Sequence, residues 1–408
     1  MTEKRQDMLE FAYMCSPFYQ NLMQEHHLEF SRMRKDWDSI PITNKTMLAQ
    51  AGENIIPFSY YSEKAKGKLM VKLASGSTGK CLKLFWSKED LKREEDAVWK
   101  YRQLWYGIKP QSTYCYFYTF ENHETKERQY HNVKHGMGIP KCDFNKERVK
   151  EIYERLLCYQ PEWIQIAPSI ACVLAKYIRE SGLEKIESIK YIELYGELIS
   201  QQEREEIENA FGCIARRRYG CKEVGTIAYE CSYGEMHVMT ESVHVEICKD
   251  GHAVFEGMEG NIIVTSMQNH VTPFVRYDTD DRGILARKSC NCGLEGEVLE
   301  ITRGQESGWI QWENGECFHS SDFARAFLKI MYQKEVDMKQ YQIIQRRWDY
   351  FDIYIVSETK EEIIRSHFLR EMENTPLKDA IFQFHCLNEK LLANRVNMNT
   401  SFRCDVKG

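Results

Sequence analysis

No apolar run in this chain approaches the ~20 residues needed to span a bilayer. The first residues, MTEKRQDMLEFAYMC, carry charges where a secretory leader needs an apolar stretch, so the expectation is a cytoplasmic protein. An excess of one charge sign is also missing. Fifty-five basic and 61 acidic residues leave a formal charge of −6, spread along the chain, and no basic surface argues for nucleic acid. The one tight basic run, Arg216 to Arg218, is too short for a polybasic tail and reads as a solvated turn before a strand. No internal repeat or low-complexity tract is visible, which argues against a solenoid.

Several catalytic signatures are absent as well. Gly79-Lys80 is followed by Cys81 rather than Ser or Thr, and Ala74 stands where a Walker loop has its first glycine. No G-x-G-x-x-G follows a strand, so a dinucleotide fold is unsupported. There is no G-x-S-x-G elbow, and Glu127 occupies the second histidine position after His123-Glu124.

What is present suits a well-buried core: 408 residues, 43% hydrophobic and 12% aromatic, enough for one large and one small domain. Fifteen cysteines in a cytosolic chain are expected as reduced thiols or metal ligands. Helical spacing over Lys88–Tyr101 and Pro168–Ser181 alternates with β-rich stretches at Leu69–Leu73, 113–120 and Ile189–Leu194, which favours an α/β layered domain with a largely parallel sheet. From about residue 236 the pattern turns antiparallel, with Asp250-Gly251 marking a hairpin. Past Arg303, a strand over Tyr341–Val356, a helix over Glu361–Glu373 and a strand over Ala380–Leu387 predict a small α+β domain. The division expected is 1–303 and 304–408.

The sharpest local feature is Ser75-Gly76-Ser77-Thr78-Gly79-Lys80. Small residues let backbone N–H groups approach phosphate oxygens, hydroxyls add donors, and Lys80 and Lys83 offset charge. This loop resembles the [ST]-S-G-[ST]-T-G-K-P signature of adenylate-forming enzymes. Three further blocks follow in the same order. Tyr195-Gly196-Glu197 is similar to the Gly-Glu strand end beside adenine. Tyr219-Gly220-Cys221-Lys222-Glu223 resembles Y-G-x-[ST]-E, and Arg276-Tyr277-Asp278-Thr279-Asp280-Asp281 resembles R-Y-x-T-G-D. Chain length, Ser16–Gln20 and Cys-x-Cys-Gly after the third block give a closer resemblance to phenylacetate–CoA ligase-like proteins.

The resemblance implies an α/β adenylation core with parallel and mixed sheets, plus a mobile C-terminal α+β domain. It implies ATP- and Mg²⁺-dependent formation of an acyl-adenylate from a small carboxylic acid, with pyrophosphate released. The acyl group then passes to a thiol (CoA being the family default, or a carrier protein) or an amine. Implied roles are Mg²⁺ ligation by Glu223, adenine stacking by Tyr219 beside Gly220, ribose binding by Asp281, and added donors from Arg303. Lys80 and Lys222 are candidate catalytic cations. Tyr116, Tyr118, His135, Gly136 and Tyr195 are candidate acid-binding residues, their aromatic character suiting an aryl acid. No nucleic-acid or membrane partner is expected, and a homodimer stays open.

Cys231, His237, Cys290 and Cys292 form a second constellation, whose three sulfurs and one imidazole would make a closed, structural zinc site; scattered buried thiols are the alternative. The chain also departs from the family pattern. Cys81 replaces a proline, Lys222 a hydroxyl residue and Asp280 a glycine, while Ser401 stands where relatives carry a C-terminal lysine, with Lys407 nearby. Those changes motivate a second expectation, a catalytically impaired relative that binds nucleotide or an acyl ligand as an accessory protein.

Overall fold

Helix starts in the N-terminal segment follow local capping chemistry. Ser16 precedes Pro17 at the first position of a helix, and Asn44 accepts from the Met47 N–H. The computed structural model describes residues 2–75, 81–118, 130–141, 146–303, 309–312, 317–319, 338–357, 359–373, 377–387 and 402–404, with Phe323, Ala326, Phe327, Ile330, Val336 and Thr375. Helices α1 (Thr2–Cys15), α2 (Pro17–Glu25), α3 (Phe30–Lys35), α4 (Lys45–Ala51) and α5 (Tyr61–Ala65) open the chain. The hairpin β1 (Met70–Ser75) and β2 (Cys81–Trp86) then flanks residues 76–80. Gly76, Ser77, Thr78, Gly79 and Lys80 lie outside the described residues, as do Ser401 and Lys407.

Helix α6 (Lys88–Tyr106) starts at Ser87, whose hydroxyl accepts from Asp90 N, and ends at Gly107 in the left-handed region. The α/β layer follows: β3 (Tyr114–Tyr118), β4 (His131–Val133), β5 (Gly136–Pro140), α7 (Lys146–Tyr159), β6 (Trp163–Ile166), α8 (Pro168–Glu180), β7 (Tyr191–Tyr195), α9 (Gln201–Phe211) and β8 (Ile214–Cys221). Strands β5, β3, β6, β7 and β8 lie side by side and parallel. Helix crossovers between parallel strands require this layering, and Ile164, Ile166, Leu174, Ile178, Ile192 and Phe211 are buried together.

The antiparallel half extends the same sheet. Strands β9 (Gly225–Glu230), β10 (Met236–Val238), β11 (Val243–Lys249), β12 (His252–Ala253), β13 (Glu259–Ser266), β14 (Tyr277–Ser289) and β15 (Glu295–Arg303) give the 13-strand order β12-β11-β13-β14-β15-β10-β9-β8-β7-β6-β3-β5-β4. The expected Asp-Gly hairpin joins β11 to β12, with φ of 52° at Asp250 and 87° at Gly251.

Two short strands, β16 (Trp309–Gln311) and β17 (Cys317–His319), precede a separate four-stranded sheet. That sheet holds β18 (Met338–Arg347), β19 (Tyr350–Ser357), β20 (Ile381–Leu387) and β21 (Phe402–Cys404), with α10 (Glu361–Met372) between β19 and β20. Its own core includes Phe323, Phe327, Ile343, Ile353, Phe368 and Phe384. The run Tyr341–Val356, expected as one strand, is a hairpin with a tight turn at Trp348-Asp349; Tyr341 to Gln345 are all buried, and the pairing shifts register between Gln345 and Arg347. Among the described residues no helix is long and apolar enough to cross a membrane.

Candidate nucleotide and acid site

Where the parallel strands meet the antiparallel half, a cleft of ≈ 620 Å³ opens. Crevices at the carboxyl ends of parallel strands are the usual ligand sites of α/β sheets, because the chain ends there diverge and leave backbone groups free. Tyr195, Gly196 and Glu197 line one side, and Tyr219, Gly220, Lys222 and Glu223 line the centre. Asp281 faces them, and Ala74 on β1 brings the border of the Gly-rich segment to the rim.

Each block reaches the cleft for a local reason. Gly196 takes φ of 84° as the chain leaves β7, a turn that L side chains resist. Glu197 accepts from Ser169 N at 2.9 Å and Ser169 Oγ at 3.0 Å, which fixes it at the first turn of α8. Gly220 crosses against Gly225, where a Cβ would overlap the Gly225 carbonyl oxygen. Tyr219 Oη donates to Asp281 Oδ2 at 2.8 Å, joining β8 to β14 across the cleft. Burial pushes the Asp281 carboxyl up to about 6; the Tyr219 hydrogen bond pulls it back, while Asp280, Asp278 and Glu223 add to the rise.

Asp280, expected to suffer from replacing a glycine, adopts the glycine-like backbone with φ of 63°. Its N–H donates to Asp278 Oδ1 at 2.9 Å, and aspartate tolerates this left-handed turn better than most residues. Arg276 also has positive φ, at 44°, and is fully buried. Its guanidinium donates to the Ile40 carbonyl at 2.7 Å and pairs with Asp38 at 3.1 Å and Glu246 at 3.2 Å, so it ties the N-terminal segment to β14.

Glu223 sits in the β8–β9 turn, buried but facing the cleft. Lys45 Nζ lies 3.0 Å from Glu223 Oε1, and Tyr277 Oη donates to the same oxygen at 3.3 Å. Burial opposes ionisation of Glu223, yet the Lys45 ammonium outweighs it and holds the carboxyl below the usual range. An ionised, oxygen-only donor at a cleft wall suits a hard divalent cation such as Mg²⁺.

Lys45, Glu94 and Tyr277 are cleft residues that sequence reasoning missed, except that Tyr277 lay inside a quoted block. Glu94 comes from α6 and accepts from Thr226 Oγ1 at 3.0 Å. The run Arg216 to Arg218 is not a solvated turn but part of β8, and each arginine finds a carboxylate: Glu208 at 2.6 Å, Glu230 at 3.0 Å and Glu193 at 3.2 Å. Glu193 is fully buried, bound through two bonds by Arg102 at 2.7 and 2.8 Å and by Tyr229 Oη at 2.8 Å. Burial opposes its charge, but Arg102 and Arg218 lower its carboxyl to about 2.

Of the other candidate residues, all but Tyr195 lie apart from the lining just described. Tyr114, Tyr116 and Tyr118 share one face of β3, beside Gly136 and Gly138 of β5. A Cβ on Gly136 would stand 2.6 Å from the Tyr114 ring, so that glycine makes room for an aromatic row, and Tyr116 bonds His131. His135 sits in the β4–β5 turn, its carbonyl accepting from Tyr114 N at 3.0 Å. Tyr195 lines the cleft and donates to the Phe117 carbonyl at 2.7 Å, bracing β7 against β3. Arg303 ends β15, exposed, two residues beyond the cleft-lining Ile301.

Cys231, His237, Cys290 and Cys292 do converge, their ligand atoms all within 4.8 Å of one another. Two turns of the same build create the cluster. Gly234 N donates to Cys231 O at 2.9 Å and Cys231 N to Glu235 O at 2.9 Å; Gly293 N donates to Cys290 O at 3.0 Å and Cys290 N to Leu294 O at 2.9 Å. Gly234 and Gly293 take φ of 87° and 88° to close these turns. The Cys231–Cys290 sulfur separation is 3.7 Å and Cys292 Sγ lies 3.3 Å from His237 Nε2. Tetrahedral zinc would set sulfurs ~3.8 Å apart and sulfur and nitrogen ~3.5 Å apart, so the donor set fits that ion. Burial lowers the His237 pKa and keeps its imidazole neutral, the ligating form.

No protein-family model matches the chain. It is 24% identical to phenylacetate-coenzyme A ligase of Thermus thermophilus over 405 residues, covering 95% of this chain and 87% of that protein. Protein CapK of Staphylococcus aureus is 22% identical over 362 residues, covering 87% of this chain and 77% of that protein. Among solved structures, 2-hydroxyisobutyryl-CoA ligase bound to its acyl-AMP and CoA in the thioesterification state superposes with a TM-score of 0.65 at 16% identity. That match covers 99% of this chain and 88% of the ligase. The postadenylation state of the same ligase gives 0.63 at 15% identity, with the same coverage. Along nearly its whole length the chain is similar in sequence to a phenylacetate-coenzyme A ligase, and it shares its fold with 2-hydroxyisobutyryl-CoA ligase.

Proposed function

We propose that this protein activates a carboxylic acid with ATP, forming an acyl-adenylate and pyrophosphate, and passes the acyl group to a thiol or an amine. The observation that carries this reading is the cleft that gathers Gly196-Glu197, Tyr219–Asp281 and Glu223 from strands far apart in sequence. Relatives with this fold bind an acyl-AMP and CoA, which supports CoA as the acceptor.

In this reaction the enzyme must position reactants and neutralise charge spreading over the phosphates. Tyr219 presents a ring to the adenine, and Asp281, oriented by the Tyr219 hydroxyl, accepts from the ribose diol. The turn at Gly196 leaves backbone groups free at the end of β7. Glu223 is the residue to hold Mg²⁺, which when bound supplies charge neutralisation at the phosphates. Ser75, residues 76–80 and Lys222 are assigned to the phosphates, Arg303 to the ribose side. Tyr195 and the row with Tyr116, Tyr118, Gly136 and His135 are assigned to the acid. We assign the Cys₃His cluster to structural zinc. Residues 1–303 are taken as the adenylation unit and 304–408 as the smaller unit that turns between half-reactions.

The test is pyrophosphate release from purified protein with ATP, Mg²⁺, hydroxylamine and a panel of aryl, alkyl and amino acids. Hydroxylamine traps an acyl-adenylate whatever the natural acceptor. Acid-dependent release that is lost in Glu223→Gln supports the reading; ATP binding without release for any acid favours an accessory nucleotide-binding protein.

A further inference from the structure

Three contacts made just before Lys45 fix where its side chain goes. Thr43 N donates to Arg276 O at 2.8 Å, Asp278 N donates to Thr43 O at 2.8 Å, and Thr43 Oγ1 donates to Val275 O at 3.0 Å. The segment is thereby docked on the start of β14, and Asn44 caps the helix that Lys45 begins. Lys45 is 5% exposed, a burial that lysine tolerates only when paired. Its partner is the carboxylate assigned above to the divalent cation, and both groups border the cleft rather than an apolar core.

That arrangement sets up a competition. A divalent cation arriving at Glu223 brings like charge beside the ammonium, which repels it. The triphosphate that comes with the metal is the anion able to receive the displaced ammonium. We propose that Lys45 is a resident phosphate-binding cation of the nucleotide site, held ready by Glu223 and handed to the phosphate oxygens when metal and nucleotide enter. Its role in catalysis rests on the acid-activating reading; its role in nucleotide binding does not. In the activated step an acid oxygen bonds to the α-phosphorus, the bond from that phosphorus to the bridging oxygen breaks, and pyrophosphate leaves with the electron pair. Lys45 exchanges no proton and neutralises part of the charge that leaves. The N-terminal segment thus supplies a fixed cation to a chain whose position 401 is serine.

The full-length protein, with Lys45→Met, Lys45→Arg and Glu223→Gln variants, separates these roles. ATP with Mg²⁺ stabilises the wild type against heat, and Lys45→Met loses much of that stabilisation while Lys45→Arg keeps most of it. Mn²⁺ alone, followed by electron paramagnetic resonance, binds Lys45→Met more tightly than wild type because the competing ammonium is gone. Hydroxylamine-trapped release at saturating ATP and Mg²⁺ falls about 100-fold in Lys45→Met, the scale of losing one charge-stabilising group. Equal stabilisation of Lys45→Met and wild type by ATP with Mg²⁺, or none of the wild type, overturns the proposal. Should Lys45→Met not fold, Lys45→Gln takes its place in the same comparison. A wild type that never releases pyrophosphate, yet needs Lys45 to bind ATP, sinks the ligase reading and leaves this proposal standing.

Discussion

Tyr219 Oη and Asp281 Oδ2 meet at 2.8 Å across the cleft, linking two sequence blocks that lie 62 residues apart. The bond orients the carboxylate assigned to the ribose, and the same burial that protects it also raises its pKa to about 6.

Nucleotide binding should therefore depend on pH through Asp281. On that assignment the carboxylate, ionised above about 6, would accept from the diol, and the protonated group below it would bind the diol more weakly. ATP affinity is expected to fall as pH drops from 7 to 5, and Asp281→Asn should flatten that profile. The stability sign is opposite. A carboxyl raised from 3.8 to about 6 binds protons more tightly when folded, so its contribution to stability increases as pH falls through 6. Thermal unfolding at pH 7 and 5, with and without ATP, as the difference between wild type and Asp281→Asn, measures both signs.

The Glu193 network makes the converse prediction. With its carboxyl at about 2 when folded, Glu193 contributes stability above its unfolded value of 4.5 and loses it as pH falls toward 2. Removing Arg102 leaves a buried charge less compensated, so Arg102→Ala should cost about 3–5 kcal/mol in urea unfolding. Replacing Lys190 is the control, because its pair with Glu162 is exposed and should cost no more than about 1 kcal/mol.

Zinc is expected near one equivalent per chain in protein purified without added metal. Elemental analysis of Cys290→Ser/Cys292→Ser should find it lost, with a lower unfolding temperature. Retention of the metal in that variant would remove the cluster from consideration.

Two glycines should respond differently to alanine. Gly220→Ala places a Cβ on the Gly225 carbonyl oxygen, so the backbone has to shift, and a loss of about 1–3 kcal/mol is expected. Around Gly196 nothing lies within 4 Å of an added Cβ, so Gly196→Ala should incur only the left-handed strain of about 1–2 kcal/mol. Denaturant midpoints should fall at least as far for Gly220→Ala as for Gly196→Ala.

The sequence carried the cleft to the extent that its residues lay in ordered motifs. The place of Tyr219, Glu223 and Asp281 in the cleft was legible because each belongs to a short ordered motif. Lys45 and Glu94 were not, since a lone lysine at a helix start and a lone glutamate within a charged helix look like solvated surface. Only their approach to residues 178 and 132 positions away reveals them. Arg216 to Arg218 misled for the same reason: charge density suggested solvent, while the three carboxylates that claim them sit on other elements. The apparent alternation over Tyr341–Val356 hid the turn, because strand-forming residues recur on both sides of a tight hairpin.

The docking of Thr43 on Arg276 has a consequence for how the molecule is made. These residues are 233 positions apart, so the segment around Thr43 binds a surface that is synthesised much later. At about 5–20 residues per second, residues 1–51 wait at least ten seconds for β14. The wall of the cleft that holds Lys45 is then completed only after the start of β14 has been synthesised. Nascent chains arrested before residue 276 should yield to protease within the first 51 residues, and chains released at full length should resist.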